Sequence, residues 1–215
     1  MGRISEQKSY FTPDFGFESQ LWDKGIRFVA GVDEAGRGAL AGPVSAGVLV
    51  LPPDPEIQSH LKGMQDSKKH SRIKREEFAG RIRDLALAYG VGFASAGEID
   101  RLGILPATRL AIQNALSQLG IEPDHLLVDF ISLPACNIPQ ISIVKGDERS
   151  LSIAGASILA KVARDDLMRK LDQLYPEYGL AAHKGYGTQA HRAVLTRLGP
   201  SPVHRLSFKF RPVYS

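Results

Sequence analysis

Asp33 and Glu34 close an apolar run, Phe28-Val29-Ala30-Gly31-Val32, and Ala35-Gly36-Arg37-Gly38 follows at once. Branched apolar residues ahead of the acids and glycines behind them read as a strand that carries two carboxylates to its tip and then turns. A second apolar run, Leu126-Leu127-Val128, also finishes in an acid, Asp129, and the longest helical pattern carries the adjacent pair Asp165-Asp166. Acids converging from separate elements suit hard divalent cations, and two such ions held about 3.5–4 Å apart stabilise the attacking and leaving oxygens of a phosphodiester displacement. Brought within ~5 Å at an effective dielectric of about 20, two carboxylates repel by roughly 3 kcal/mol, so such a site is strained until a cation enters. Side chains alternate along a strand, so Asp33 and Glu34 can serve one site only if the strand ends there. Residue type alone leaves Asp165 and Asp166 as alternatives.

Rival chemistries lack their residues. Gly36, Gly38 and Gly42 miss the G-x-G-x-x-G spacing of a dinucleotide fold, a strand rather than a helix follows them, and no G-x-x-x-x-G-K-[ST] loop occurs. His183, His191 and His204 show no H-x-x-x-H spacing and Cys136 is the only cysteine, which argues against zinc. These histidines read as surface or phosphate-side groups. A nucleophile-elbow string G-x-S-x-G is also missing.

The elements that must position the acids follow from periodicity. Pro43 to Leu51 alternates Val44, Ala46, Val48, Val50 against Ser45, Gly47, Leu49, Leu51, a second strand joined to the first through the glycines. After Pro52-Pro53-Asp54-Pro55 breaks the chain, Ser71 caps a helix marked by Ile73, Phe78, Ile82, Leu85 and Tyr89, and Gly90 stops it. Val91–Ala96 reads as a third strand, Pro106 opens a helix that Gly120 closes, and His125–Asp129 and Gln140–Val144 complete five strands. Ser152–Tyr175 is the longest helix, and Thr188 caps another over Gln189–Leu198. Three strands followed by alternating helices and strands predict an α/β domain whose mixed sheet is antiparallel first and parallel later. The expected division is a loosely structured arm over 1–25, a catalytic domain over 26–178, and a basic segment over 179–215.

Length, 43% hydrophobic content and 23% charged content suit a globular chain of 215 residues. A single cysteine allows no intrachain disulfide, so a cytoplasmic location is expected, and no apolar run approaches the length of a membrane span. The net charge of +4 is unevenly placed: residues 179–215 hold no Asp or Glu and contribute +6, leaving −2 for the rest. Lys62–Arg83 is a second basic stretch, with eight Lys or Arg. Basic zones around a carboxylate-rich middle fit a polyanion held by its phosphates while the acids work on it.

An ordered set of strings carries a resemblance: Asp33-Glu34-Ala35-Gly36-Arg37-Gly38, Asp66-Ser67-Lys68-Lys69, Leu127-Val128-Asp129, Val144-Lys145-Gly146-Asp147, Ala156 to Asp165, and His183-Lys184-Gly185-Tyr186. Together they resemble type 2 ribonuclease H over most of the chain. The resemblance implies a ribonuclease H-like fold, a mixed five-stranded sheet flanked by helices with a helical C-terminal extension. It also implies a monomer that cuts the RNA strand of RNA/DNA hybrids and incises 5′ of ribonucleotides in duplex DNA, leaving 3′-hydroxyl and 5′-phosphate ends, within ribonucleotide excision repair. A two-ion site for Mg²⁺ or Mn²⁺ would be held by Asp33, Glu34, Asp129 and, by the family's Lys-Val-x-Arg-Asp pattern, Asp165. Gly36, Arg37 and Gly38 would present backbone to the ribonucleotide 2′-hydroxyl, Tyr186 would bond it and stack on the adjoining deoxyribose, and Ser67, Lys68, Lys69 and Lys184 would hold phosphates. Phe130 stands where the family pattern has glycine, His70 where it has leucine, and Gly187 where many relatives carry proline.

Overall fold

The computed structural model describes residues 12–64 and 70–213. A five-stranded sheet runs in the order β3-β2-β1-β4-β5. Its strands are β1 (Val29–Ala35), β2 (Val44–Val50), β3 (Ala88–Ala94), β4 (His125–Asp129) and β5 (Gln140–Ile143). The first three pair antiparallel, and β4 and β5 join β1 in parallel, as the order of elements leads one to expect.

The period of two in β2 separates two cores rather than core from solvent, since all seven of its residues are buried. Val44, Ala46, Val48 and Val50 pack with Ala107, Ala111, Ile112 and Ala115 of α5 (Ile104–Leu116). Leu49 and Leu51 face the other way, toward Ile158 and Leu159 of α6 (Leu151–Leu174) and Phe78 and Ile82 of α3 (Arg72–Leu85). Each Leu or Val removed from water in this way contributes about 1.5–3 kcal/mol.

Helix α6 lies unusually close to the sheet. A Cβ added at Gly31 would come 2.2 Å from the carbonyl carbon of Ser152, and one at Gly47 would come 2.2 Å from the Ala156 oxygen. Ser150 caps α6 by accepting from the Ile153 N–H at 3.2 Å. Any side chain at Gly31 or Gly47 would lift the helix and carry Ser157 away from β1.

β1 pairs through both acids, with Asp33 opposite Gly47, Glu34 opposite Ala46 and Ala35 opposite Ser45, and ends at Ala35, one residue beyond the carboxylates. Several expectations are corrected. α3 ends at Leu85, and Tyr89 and Gly90 belong to β3, where Gly90 and Gly92 let α5 approach. Periodicity also missed α2 (Pro55–His60) and α4 (Ala96–Leu102), the latter fixed by a reciprocal Ser95/Glu98 capping box.

Residues 14–25 are not a loose arm. They form α1 (Gly16–Trp22), whose buried Glu18 accepts from the Ser150 hydroxyl at 2.7 Å and the Ser152 N–H at 2.9 Å, locking the arm onto the start of α6. Beyond α6, the short α7 (Leu180–His183) and α8 (Gln189–Leu198) pack Leu180 and Leu195 on Ala41 and Met168. No helix among the described residues is long and apolar enough to cross a membrane.

Candidate active site

Parallel pairing of Val32 with Val128 leaves Asp33 and Asp129 side by side at the edge of the sheet formed by the C-terminal ends of its interior strands β1 and β4, which lie about 4.8 Å apart. The chain then leaves β5, turns at Lys145, and a single 3₁₀ turn, Gly146–Glu148, brings Asp147 to the same edge, largely buried. Backbone and hydroxyl donors fix the acids: Asp129 Oδ1 accepts from the Gly146 N–H at 2.7 Å, Asp33 Oδ1 accepts from the Glu34 N–H at 2.7 Å, and the Ser157 side chain of α6 bonds Asp33. Glu34, the next residue along the strand, pairs with Arg37 at 3.1 Å, and its charge acts on Asp33.

Burial pushes the Asp33 carboxyl well above its ordinary range, and the neighbouring charges of Glu34, Asp129 and Asp147 push it the same way. Among the described residues no three of these side chains stand in ready-made coordinating geometry. The donor set nevertheless fits a hard divalent cation. It is anionic oxygen throughout, and its central member is destabilised by both effects that a cation reverses.

Asp165 is not brought to this edge. It lies eight residues beyond Ser157 on the same helix, roughly 12 Å of rise. There it accepts from Lys161 Nζ at 2.6 Å and pairs with Arg75 at 3.6 Å. Asp166 pairs with Arg169. Asp165 therefore anchors a cationic wall, because its charge also acts on Lys184, with Arg169, Lys161 and Arg72 nearby. Burial lowers the Lys184 ammonium from its ordinary value.

The glycine turn after β1 and the Tyr186 loop are laced together. Leu40 N–H donates to the Gly185 oxygen at 2.8 Å, and Gly42 N–H donates to Val203 at 2.8 Å. Two buried arginines staple the junction through carbonyls alone. Arg164 donates to Pro43 (2.9 Å), Lys184 (2.9 Å) and Ala41 (3.1 Å), and Arg205 donates to Gly42 (2.9 Å), Arg37 (2.8 Å) and Gly36 (2.8 Å). Burial lowers both guanidiniums, Arg205 to about 9.

Tyr186, partly exposed, presents its ring to Arg164 at 5.5 Å and Lys161 at 5.9 Å. Gly36 has φ +92° and no room for a Cβ, which would sit 2.0 Å from Arg164 Nε, whereas Gly38 faces open space. The first glycine is thus required by the staple beneath it. The second leaves an approach free.

The model of the family described as Ribonuclease HII matches residues 30–211. The chain belongs to the ribonuclease HII family. Ribonuclease HII of Syntrophotalea carbinolica is 53% identical over 193 residues, covering 90% of each chain. Among solved structures, ribonuclease H2 of Pyrococcus horikoshii OT3 superposes with TM-score 0.68 at 30% identity over 85% of this chain and 94% of that one. The ribonuclease HII of Archaeoglobus fulgidus, solved in a complex with PCNA, superposes with TM-score 0.72 at 27% identity, covering 87% of this chain and 98% of that one. Membership makes the protein a ribonuclease H, a metal-dependent endoribonuclease acting on RNA/DNA hybrids.

Within the expected ribonuclease HII set, the structure gathers Asp33, Glu34 and Asp129, and separately Gly36, Arg37, Gly38, Lys184 and Tyr186. Ser67, Lys68 and Lys69 lie outside the described residues. Asp147 was missed although its string was visible: it follows β5 closely, a third acid arriving after a strand. The histidines are also corrected, since His191 and His204 are buried rather than at the surface. Phe130 takes the conformation that a glycine would, with φ +55°, so the departure from the family pattern changes the residue and not the turn.

Proposed function

We propose that Asp33, Glu34, Asp129 and Asp147 hold the divalent cation, Mg²⁺ or Mn²⁺, with two ions in the working site, and that the enzyme both cuts the RNA strand of hybrids and incises 5′ of a ribonucleotide in duplex DNA. The observation that carries this reading is the arrival of Asp129 and Asp147 beside a buried Asp33, whose carboxyl is pushed up by burial first and then by the charges of Glu34, Asp129 and Asp147. When bound, such cations supply neutralisation of phosphoryl charge and a more acidic water, giving 3′-hydroxyl and 5′-phosphate ends. The chain's own groups do the remainder. Ser157 and Gly146 N–H orient Asp33 and Asp129.

Arg37 and the open backbone at Gly38 face the ribonucleotide sugar, with Gly36 shaping the turn, and Tyr186 contacts the 2′-hydroxyl and the next deoxyribose. The 2′-hydroxyl is what distinguishes RNA from DNA, so contacts there select the cut site. Lys184, with Lys161 and Arg75 held by Asp165, faces the phosphates, and Ser67, Lys68 and Lys69 extend that grip. Residues 179–215 add the basic face that holds the duplex. The reading includes a cytoplasmic monomer.

The test is one assay on three substrates: an RNA/DNA hybrid, plain duplex DNA, and a DNA duplex with one embedded ribonucleotide, each with Mg²⁺, Mn²⁺ or EDTA. Cleavage of the first and third with metal only is expected, with the third cut on the 5′ side of the ribonucleotide. Cleavage of hybrids alone would remove Tyr186 from the role of junction reader.

A further inference from the structure

Three imidazoles that the proposed chemistry does not use lie directly under the Tyr186 loop. The rings of His183 and His191 stack at 4.1 Å and 14°, and His191 Nε2 lies 3.0 Å from His204 Nε2. His191 is fully buried and His204 nearly so. Their partners dictate every proton. His191 Nδ1 is 3.0 Å from the Tyr186 carbonyl oxygen, which can only accept, so Nδ1 carries the hydrogen. In the neutral ring Nε2 is then an acceptor, and His204 Nε2 must donate to it. That leaves His204 Nδ1 bare to accept from the Ser201 N–H at 3.0 Å and the Ser201 hydroxyl at 2.7 Å. His183 is fixed the same way, donating from Nε2 to the Tyr178 oxygen at 2.9 Å and accepting the Gly185 N–H at Nδ1 at 3.2 Å.

We infer that Ser201, His204 and His191 form a directional hydrogen-bond relay that positions Tyr186 for sugar recognition, with His191 and His204 as positioning residues, and that the relay works only while every ring in it is neutral. This rests on the reading of Tyr186 as the sugar-contacting residue. A proton added to either ring of the relay, or to His183 stacked on it, sets two donors face to face: His191 Nε2 against His204, His204 Nδ1 against Ser201, or His183 Nδ1 against Gly185.

The surroundings resist that proton. Burial, followed by the charges of His183 and His204, pushes His191 down to about 4, and burial lowers His183 and His204 too. The titratable and charged groups facing the relay are Tyr178 against His204, Tyr186 above His191, and Asp172 and Lys184 beside His183. A histidine lowered from 6.5 to about 4 binds its proton more readily when released, so the stabilisation of the neutral relay is full above pH 6.5 and falls away as pH drops toward 4.

A double-mutant cycle on the single-ribonucleotide duplex separates positioning from mere support. Tyr186→Ala and His191→Phe, which keeps a ring but no hydrogen bonds, should each lower kcat/KM by about ten- to a hundredfold. The double variant should fall no further than Tyr186→Ala alone, because the relay acts through Tyr186. His191→Asn, which can still donate to the Tyr186 carbonyl, should recover most of the loss.

Additive losses, or an unaffected His191→Phe, would overturn the relay while leaving Tyr186 as the reader. A silent Tyr186→Ala would overturn both. Should His191→Phe fail to fold, two measurements on the unaltered His191 decide. Imidazole ¹⁵N shifts should show Nδ1–H at His191 and Nε2–H at His183 and His204, and the kcat/KM advantage of the parent enzyme over Tyr186→Ala should shrink from pH 6.5 toward 4. The opposite tautomer at His191, or an advantage independent of pH, would overturn the inference.

Discussion

The sheet edge with Asp33, Asp129 and Asp147 and the junction stapled by Arg164 and Arg205 lie next to each other along the chain, yet they are built on opposite rules. At the junction six guanidinium N–H groups meet six backbone carbonyls, and the turn, the Tyr186 loop and the C-terminal segment cannot shift independently. At the edge, like charges are packed around a buried carboxyl that would be more stable neutral. The difference matches the two tasks. Recognition of a sugar needs a surface fixed before the substrate arrives, whereas a cation-binding edge gains affinity from repulsion that only a cation relieves.

The largest effects should come from the edge. Asp33→Asn, Asp129→Asn and Asp147→Asn should each lower hydrolysis of hybrid by about a thousandfold or more, since each removes several kcal/mol of charge stabilisation. Asp33→Asn should also raise Tm in EDTA by about 2–4 °C, as relief of roughly 1 kcal/mol does in a chain of this size. Asp165→Asn should instead weaken substrate binding and leave turnover at saturation nearly intact. If Asp165→Asn abolished turnover and Asp147→Asn did not, the assignment of the fourth carboxylate would be reversed.

The junction should fail differently. Gly36→Ala places a methyl against Arg164 at a positive φ and should cost about 2–4 kcal/mol of unfolding free energy, read from urea midpoints. Gly38→Ala meets no protein atom and should unfold like the parent, yet lose activity because its methyl occupies the sugar's approach. Equal stability losses in the two variants would end the distinction between a glycine required by the fold and one required by the substrate.

What could be read in the sequence divides along the same line. Strands β1, β2 and β4, the long α6, and the placement of Asp33, Glu34 and Asp129 near strand ends were legible because period, cap and strand-end chemistry are local. Asp147 was not, because only the parallel docking of β5 on β4 brings its turn to the edge. Nor was the true place of Asp165, since a helical pattern does not say which turn of α6 crosses the end of β1. The staples were invisible for a plainer reason: Arg164 and Arg205 find most of their acceptors 121 to 169 residues away, and a carbonyl leaves no mark on residue type. Gly90 misled because a glycine after a helical pattern resembles a stop, whereas here it admits α5 to the sheet.

The smallest effect should come from Phe130, which joins the two rules in one residue. It follows Asp129 directly, holds φ +55°, and is 65% exposed as a residue, so the fold gains little from the side chain while the backbone bears a left-handed conformation. Its N–H still donates to the Ile143 oxygen at 3.1 Å, and the Ile131 N–H donates to the Asp129 oxygen at 2.6 Å, which holds the turn whatever residue occupies it. That conformation costs an L-residue about 1–2 kcal/mol, and glycine gives back about 0.4–1 kcal/mol through its freer unfolded chain. Phe130→Gly should therefore raise stability by about 0.5–1 kcal/mol, whereas Phe130→Ala, which loses the ring but keeps the Cβ, should stay near the parent. Urea midpoints of the three proteins in EDTA separate backbone from side chain. If alanine stabilised as much as glycine, the exposed ring and not the left-handed turn would be the source of the strain beside Asp129.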